Sequence, residues 1–184
     1  MVPPERACMP EHPGFELDQV DGRSMVRLRV RPKAAEAAGE ALQLPQRPLQ
    51  WRAEDPATYS LGPDQWLLTS DTKAAGDIIG QIDRALADQL YAATDMSSSY
   101  VCFALRGPAA RTVLAMGCGI DMHARAFKPG QCVQTNFANV LLFIVCVEDD
   151  RFDLYVDRSQ ARYLGDWLLK AGEDPITHDS KYRL

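Results

Sequence analysis

Residues 100–137 constrain the fold of this chain more than any other stretch, because extended runs alternate there with turn and helix-end residues. The apolar run Tyr100–Leu105 is typical of a buried strand. A short helical segment is predicted next, over Ala109–Met116, and a second extended run follows at Cys132–Phe137. The order strand, helix, strand defines a fold unit and not a catalytic motif.

Two residues delimit the predicted helix. Pro108 suits a first helical position, where its missing N–H is no loss, and Gly117 suits a left-handed C-terminal cap. The turn Arg106-Gly107-Pro108 could hold an anion, as the starts of helices do. A turn that simply begins the helix explains the same residues, because a lone arginine does not distinguish the two.

The rest of the chain divides into two similar segments. Six further runs predict strands: Val26–Val30, Leu49–Ala53, Thr58–Leu61, Gln65–Thr69, Val140–Val147 and Arg151–Val156. Three further helices are predicted: Lys33–Leu42, Thr72–Leu90 capped by Ser70 or Asp71, and Gln160–Ala171 capped by Ser159 and ended by Gly172. The segments 26–90 and 100–171 therefore share the order strand, helix, strands, helix. We predict an α+β fold built from two ferredoxin-like β-α-β halves.

The predicted domain limits lie where the apolar periodicity of the sequence begins and ends. The first residues contain four prolines and no apolar periodicity, which predicts a Pro-rich N-terminal arm over residues 1–24. A single α+β domain is expected over 25–171, with halves of about 25–95 and 96–171. Residues 172–184 are expected to form a C-terminal tail.

Composition excludes several classes of function. The chain has 184 residues, 46% of them hydrophobic and 24% charged, with a net charge of -5 and a pI near 5.2. Nucleic acid and anionic membrane surfaces are disfavoured, since both need a surplus of Lys and Arg on one face. The longest apolar run, Val140–Val147, is far shorter than the roughly 20 residues that span a bilayer, and no secretory signal is visible. We expect a cytoplasmic protein.

The cysteines do not suggest a disulfide framework. There are five, an odd number without close pairing: Cys8, Cys102, Cys118, Cys132 and Cys146. Cys102, Cys132 and Cys146 lie in strand-like apolar runs, where a thiol packs as a small hydrophobic group.

No catalytic, cofactor-binding or metal-binding residue is predicted. His12, His123 and His178 are far apart in the sequence, and the pair Cys8 and His12 lacks a second pair of ligands. His123 could act as a general base or contact a partner, but a loop histidine that bonds local backbone accounts for it equally well.

The potential nucleophiles lack an activating neighbour. Ser97–Ser99 has no adjacent base, and Cys118 lies at a helix C-terminus, where the dipole disfavours a thiolate. The acidic run Glu148–Asp150 is typical of a solvated turn. The three tryptophans are expected in the core, although any of them could anchor a partner: Trp51, Trp66 and Trp167.

Several of these motifs resemble the gamma subunits of heterotetrameric sarcosine oxidases. The motifs are Leu61–Leu68, Asp95-Met96-Ser97 before the Tyr100 strand, Arg106–Leu114, Gly117–His123, Phe127–Thr135, Phe152–Val156 with Arg158-Ser159, and Trp167-Leu168. The resemblance covers roughly residues 61–171. The first 24 residues and the tail after Gly172 match no motif of that family.

The resemblance implies a non-catalytic subunit of an alpha-beta-gamma-delta oxidoreductase. Such complexes demethylate sarcosine oxidatively to glycine and release hydrogen peroxide, with methylene-tetrahydrofolate formed when tetrahydrofolate is present. It places FAD and the amine site in beta, FMN between alpha and beta, NAD in alpha and zinc in delta, and no cofactor in this chain. The gamma subunit is expected to resemble part of the folate-binding aminomethyltransferase fold and to stabilise the assembly, packing mainly on alpha.

Two alternatives stay open. The chain could be the gamma subunit of a related complex that oxidises another N-methyl amino acid, such as N-methylglutamate. It could also be a stand-alone folate-binding protein like the aminomethyltransferases, although 184 residues is short for that enzyme.

Overall fold

The computed structural model describes residues 14–173, which form two compact units. The terminal unit combines residues 14–21 with residues 101–173, and the central unit contains residues 22–100. The strands are β1 Glu16–Val20, β2 Ser24–Val30, β3 Trp51–Arg52, β4 Ala57–Gly62, β5 Gln65–Ser70, β6 Tyr91–Asp95, β7 Tyr100–Arg106, β8 Cys132–Phe137, β9 Val140–Glu148 and β10 Arg151–Asp157. The α-helices are α1 Ala35–Ala41, α2 Ala75–Ala85, α3 Ala110–Gly117 and α4 Ala161–Gly172, with 3₁₀ turns at Pro32–Ala34 and Arg158–Gln160.

The central unit is a five-stranded antiparallel sheet with helices on one face. Its strand order is β3-β4-β5-β2-β6. Alternate residues of β2 point to the helices, because side chains in a strand alternate between the faces of the sheet. Val26, Leu28 and Val30 therefore pack in one buried cluster with Ile78 and Ile82 of α2.

The terminal unit is a second five-stranded sheet, in the order β1-β7-β10-β9-β8. Its largest buried cluster lies between one face of this sheet and the helices α3 and α4. Phe103, Leu142 and Leu154 contribute from the strands, and Val113 and Leu164 contribute from the helices. These sheets and helices confirm the predicted α+β class.

Two strands are additions to the predicted elements. β1 lies in the segment assigned to the N-terminal arm, and it pairs with β7 in the register Leu17 to Leu105 because burying Leu17 completes the core. β6 lies where the long helix was expected to end, and it pairs with β2. The limits of the arm, the two halves and the tail stay predictions.

The predicted N-terminal caps of α2 and α4 are wrong. α2 begins after Ala74 with no side-chain cap. Ser70 Oγ instead accepts hydrogen bonds from the N–H groups of Thr72 and Lys73, at 3.1 and 2.8 Å, and so closes the preceding turn. The N-cap of α4 is Gln160, which makes no side-chain cap bond. Ser159 instead belongs to the preceding 3₁₀ turn, which Asp157 caps, because Asp157 Oδ1 accepts from the N–H of Ser159 at 2.9 Å.

Gly117 does not form a left-handed cap, so that prediction is also wrong. It is the last residue of α3, and its carbonyl accepts a hydrogen bond from the N–H of Ala138 at 2.9 Å. A Cβ on Gly117 would lie 2.8 Å from Cε1 and 2.5 Å from Cε2 of Phe137, and nearer still to Cζ. The position needs glycine because the helix end touches a buried aromatic ring.

Gly107 is one of the glycines that the backbone conformation requires. Its φ is +119°, a backbone conformation that residues other than glycine rarely adopt. Its N–H donates to the carbonyl of Asp150 at 2.9 Å, which joins the turn before α3 to the β9–β10 turn.

Within residues 14–173, none of the helices has the length and apolar character needed to cross a membrane.

Candidate functional site

The polar side chains of the central unit converge on two clefts that share Glu54 and Asp55. One cleft has a volume of about 230 Å³ and includes Arg23, Ser70 and Thr72 in its lining. The other has about 190 Å³, with Leu68, Ile78 and Ile82 among its lining residues. Both are smaller than the roughly 300–1,000 Å³ of pockets that enclose drug-sized ligands.

Asp55 is the best-placed carboxylate in these clefts. Thr72 Oγ1 donates to its Oδ2 at 2.6 Å, and Lys73 Nζ donates to its backbone carbonyl and lies 3.8 Å from Oδ2. Hydrogen bonds from Ser70 and then Thr72 hold the pKa of Asp55 below its ordinary value. A carboxylate of lowered pKa is a weak base at neutral pH, so Asp55 is poorly suited to abstract a proton.

The cation of the larger cleft is also engaged. Arg23 Nε and Nη2 lie 2.7 and 3.1 Å from the two carboxylate oxygens of Asp71, in a bidentate pair. Across residues 14–173, no group of three or more His, Cys, Asp or Glu side chains is arranged to hold a metal ion. Arg23 and Asp55 are thus engaged by neighbouring groups, and neither belongs to a nucleophile–base pair.

Arg111 is the most unusual polar residue of the terminal unit, and the sequence did not single it out. It lies on α3 and is only 1% exposed. Nε donates to the carbonyl of Asp149 at 2.8 Å, and Nη1 donates to the carbonyls of Met122 and Phe127 at 2.7 and 2.9 Å. The guanidinium also lies over the Phe152 ring, 5.1 Å from its centroid.

These contacts tie two separate segments to one helix. Two carbonyls belong to the loop between α3 and β8, and the third belongs to the β9–β10 turn. Because every nitrogen of the side chain is directed at the protein itself, Arg111 is a structural cross-link. The sequence does contain one indication of this role: Arg111 is a single arginine among the apolar residues of a predicted helix, a pattern that indicates a buried cation.

The turn before α3 is not arranged to hold an anion. Arg106 Nη2 lies 3.1 Å from Asp18 Oδ2 across the β1–β7 pair, and the N–H of Gly107 bonds the Asp150 carbonyl. Glu148–Asp150 is exposed, as expected for a solvated turn.

His123 lies in a local hydrogen-bonded turn. Its N–H donates to Asp121 Oδ1 at 2.9 Å, and its Nδ1 accepts from the N–H of Arg125 at 3.2 Å. Bonding to local backbone, one of the two interpretations of this histidine, is therefore present. Cys8, His12 and His178 lie outside the described residues.

Of the four cysteines among residues 14–173, three are buried thiols and Cys118 is half-buried. Cys102, Cys132 and Cys146 are fully buried, as predicted. Burial raises the pKa of Cys146 to about 11 and also raises the pKa of Cys118. A raised pKa removes the thiolate that is the reactive form at neutral pH.

Ser97 and the tryptophans are also structural. Ser97 Oγ donates to Asp95 Oδ1 at 2.6 Å and accepts from the N–H of Met25 at 2.9 Å. Trp66 lies in the core as predicted, 1% exposed, and donates to the Pro45 carbonyl. The prediction is wrong for Trp51 and Trp167, which are only partly buried: Trp51 stacks on Tyr59, and Trp167 meets Phe137 edge to face at 4.8 Å.

The architecture is shared with two solved proteins. A chain of the heterotetrameric sarcosine oxidase from Corynebacterium sp. U-96 superposes with a TM-score of 0.78 at 23% identity, over 89% of this chain and 86% of that one. Aminomethyltransferase T of the glycine cleavage system from Bartonella henselae superposes with a TM-score of 0.62 at 18% identity, over 85% of this chain and 45% of that one. The chain is therefore an α+β protein with the fold of part of an aminomethyltransferase.

The sequence comparisons give the family. A family model described as the GCVT N-terminal domain matches residues 52–178, well over half of the chain. The chain belongs to the GCVT N-terminal domain family. Sarcosine oxidase subunit gamma from Corynebacterium sp. (strain P-1) is 28% identical over 137 residues, which are 74% of this chain and 66% of that protein. The predicted resemblance to gamma subunits is confirmed, and the match spans slightly less than two thirds of that relative.

Proposed function

We propose that this chain is the non-catalytic gamma subunit of a heterotetrameric sarcosine oxidase, and that it stabilises the assembly by packing on the alpha subunit. The observation that supports this most directly is the near full-length fold match to a chain of such a complex. The similarity to a protein named sarcosine oxidase subunit gamma adds to it.

The character of the described side chains supports a non-catalytic role. The clefts of the central unit are small, Arg23 is paired with Asp71, and Asp55 accepts a hydrogen bond from Thr72. The carboxylate best placed for base catalysis has a lowered pKa, and the half-buried Cys118 has a raised one. These side chains build the fold and present a surface, and they form no nucleophile–base arrangement.

In this proposal the chemistry belongs to the other subunits. The complex oxidises sarcosine to glycine with formation of hydrogen peroxide, and it delivers the methyl carbon to tetrahydrofolate as methylene-tetrahydrofolate. FAD is assigned to beta, FMN to the boundary of alpha and beta, NAD to alpha and zinc to delta. The assembly is placed in the cytoplasm.

Co-purification tests the proposal. A tagged form of the full chain, expressed with the alpha, beta and delta subunits of the same organism, is expected to retain all three and to yield a preparation with flavin absorbance near 450 nm. The tagged chain expressed alone is expected to be colourless and to form no peroxide from sarcosine. A chain that carries flavin by itself, or that oxidises sarcosine unaided, would overturn the proposal.

One alternative is supported by the family itself. Membership of the GCVT N-terminal domain family is compatible with a stand-alone folate-binding protein of the aminomethyltransferase type. Titration of the isolated chain with tetrahydrofolate, followed by the fluorescence of its three tryptophans, separates the two: saturable binding without other subunits favours the alternative. A gamma subunit of a complex for another N-methyl amino acid would bind its partners but fail with sarcosine as substrate.

A further inference from the structure

The sheet of the central unit carries a row of exposed arginines on the face opposite α2. Arg27 and Arg29 alternate along β2 with the buried Val26, Leu28 and Val30, and Arg31 follows at the same spacing. All three arginines are exposed, and the Arg29 side chain is 65% exposed. We call these three residues the arginine row.

The residues directly opposite Arg27 and Arg29 on the neighbouring strands are uncharged. The cross-strand neighbours of Arg27 are Leu67 and Thr94, and those of Arg29 are Gln65 and Ala92. Arg27 donates to the amide oxygen of Gln65 at 2.6 Å, and Arg29 is 3.5 Å from the Asp64 carboxylate at the end of the strand. In a chain with a net charge of -5, this face has local positive charge that its surroundings only partly balance.

Next to the arginine row lies an edge strand. β6 is the last strand of its sheet, and among the described residues it pairs only with β2. Two hydrogen bonds show which residues of β6 face β2. The N–H of Met96 donates to the Met25 carbonyl, and the N–H of Arg31 donates to the Leu90 carbonyl. In an antiparallel pair every second residue bonds its partner. The N–H and C=O groups of Tyr91, Ala93 and Asp95 therefore point away from β2.

This edge lacks most of the features that usually prevent further pairing. Exposed edges are commonly protected by charged side chains, especially Lys, by Pro, by a bulge or by a very short strand. β6 has the sequence Tyr-Ala-Ala-Thr-Asp, five residues in unbroken register with β2, and contains neither Lys nor Pro. Its one charged residue, Asp95, is the last of the strand, and its carboxylate accepts hydrogen bonds from Ser97. Leu90, directly before β6, is 60% exposed.

We infer that β6 accepts an additional strand from a partner polypeptide, and that this segment is acidic so that its side chains meet the arginine row. The inference rests on the proposed function, which supplies the partner: an extended acidic segment of another subunit of the complex. The open N–H and C=O groups of β6 select an extended polypeptide, because only another strand can pair with them in register. Leu90 gives that segment an apolar contact at one end.

Two variants of the full chain test the inference. The first replaces the arginine row: Arg27→Gln, Arg29→Gln and Arg31→Gln. Its matched control removes the same charge from exposed arginines elsewhere: Arg84→Gln, Arg125→Gln and Arg162→Gln. The second variant is Ala93→Pro, which removes an N–H that points away from β2 and so is tolerated by an edge strand. Thermal unfolding of each variant checks that the fold is retained.

The measurement is the affinity of each variant for the separately purified alpha, beta and delta subunits. The affinity of the arginine-row variant and that of Ala93→Pro are each expected to be at least about tenfold lower than that of the unmodified chain. The affinity of the control variant is expected to be unchanged. The affinity of the unmodified chain should fall steeply between 50 and 500 mM salt, and that of the arginine-row variant should fall less, because salt screens exposed charges (Debye lengths of about 14 and 4 Å).

The outcomes distinguish failure of the inference about β6 from failure of the proposed function. If the unmodified chain binds and both variants bind equally well, the inference is overturned and the proposed function stands. If only the arginine-row variant is weakened, an acidic partner is engaged without strand addition, and the inference is also overturned. If the unmodified chain binds no subunit, the proposed function fails and the inference fails with it. Binding instead to phosphatidylglycerol vesicles, lost in the arginine-row variant, would assign the face to a membrane surface and overturn the inference.

Discussion

Replacing Arg111 by methionine is expected to lower the free energy of unfolding by about 3–5 kcal/mol, because three carbonyl groups lose a charged hydrogen-bond donor. Methionine fills much of the same space but donates no hydrogen bond. The carbonyls of Met122, Phe127 and Asp149 would then lose this donor. The bonds to Met122 and Phe127 are buried, and an acceptor left unsatisfied in the interior costs about 1–3 kcal/mol. The ion pair to the exposed Asp149 side chain, at 3.8 Å, adds little to this loss.

Urea unfolding followed by tryptophan fluorescence measures the effect. Arg162→Met is the matched control, because the Arg162 side chain is 95% exposed and its replacement should change stability by less than about 0.5 kcal/mol. Arg111→Lys is expected to be intermediate, since one ammonium group cannot reproduce the planar fork that serves three carbonyls. An Arg111→Met variant as stable as the control would contradict the role of Arg111 as a cross-link.

Gly117→Ala should destabilise the terminal unit by about 1–3 kcal/mol, the usual cost of an overpacked core. The direction of this change in stability is informative, because replacing a helical glycine by alanine ordinarily stabilises a protein by about 0.5–1 kcal/mol. Here the new methyl group would lie 2.5 Å from Cε2 of Phe137, which packs edge to face on Trp167. The ring cannot move away without disturbing that contact.

Gly119→Ala is the matched control for the same measurement. A Cβ at Gly119 meets no atom within 4 Å, so this variant should be close to neutral. The double variant Gly117→Ala with Phe137→Leu should lose less stability than the sum of the losses of the two single variants, since the two residues are in contact. Equal stability of the Gly117→Ala and Gly119→Ala variants would show that the close approach does not exist in solution.

The parts of the fold that the sequence predicts well are those with strong local periodicity. The run Cys132–Phe137 forms β8 with the expected limits, and the alternation at Val26–Val30 falls within β2. Helix α2 was predicted too long because Leu86 and Leu90 continue the helical spacing beyond its end. Leu86 is buried, but Leu90 is largely exposed and precedes β6.

The features that sequence patterns missed depend on contacts between distant segments. β1 and β6 become strands by pairing with β7 and β2, and their own composition does not require it. Gly117 fits a helix-end pattern, yet its necessity comes from Phe137, twenty positions later. Arg111 is likewise explained by carbonyls up to 38 residues away, which no local motif contains.

The central claim is that this polypeptide supplies structure and contact surface to an enzyme whose chemistry lies in its partners. The most direct test is the native mass of the alpha-beta-delta assembly, measured by light scattering before and after addition of the purified chain. We predict an increase of 20.4 kDa, one copy of this chain, with its peak co-eluting with the flavin absorbance. An unchanged mass, with the chain eluting separately from the flavin, would contradict the claim.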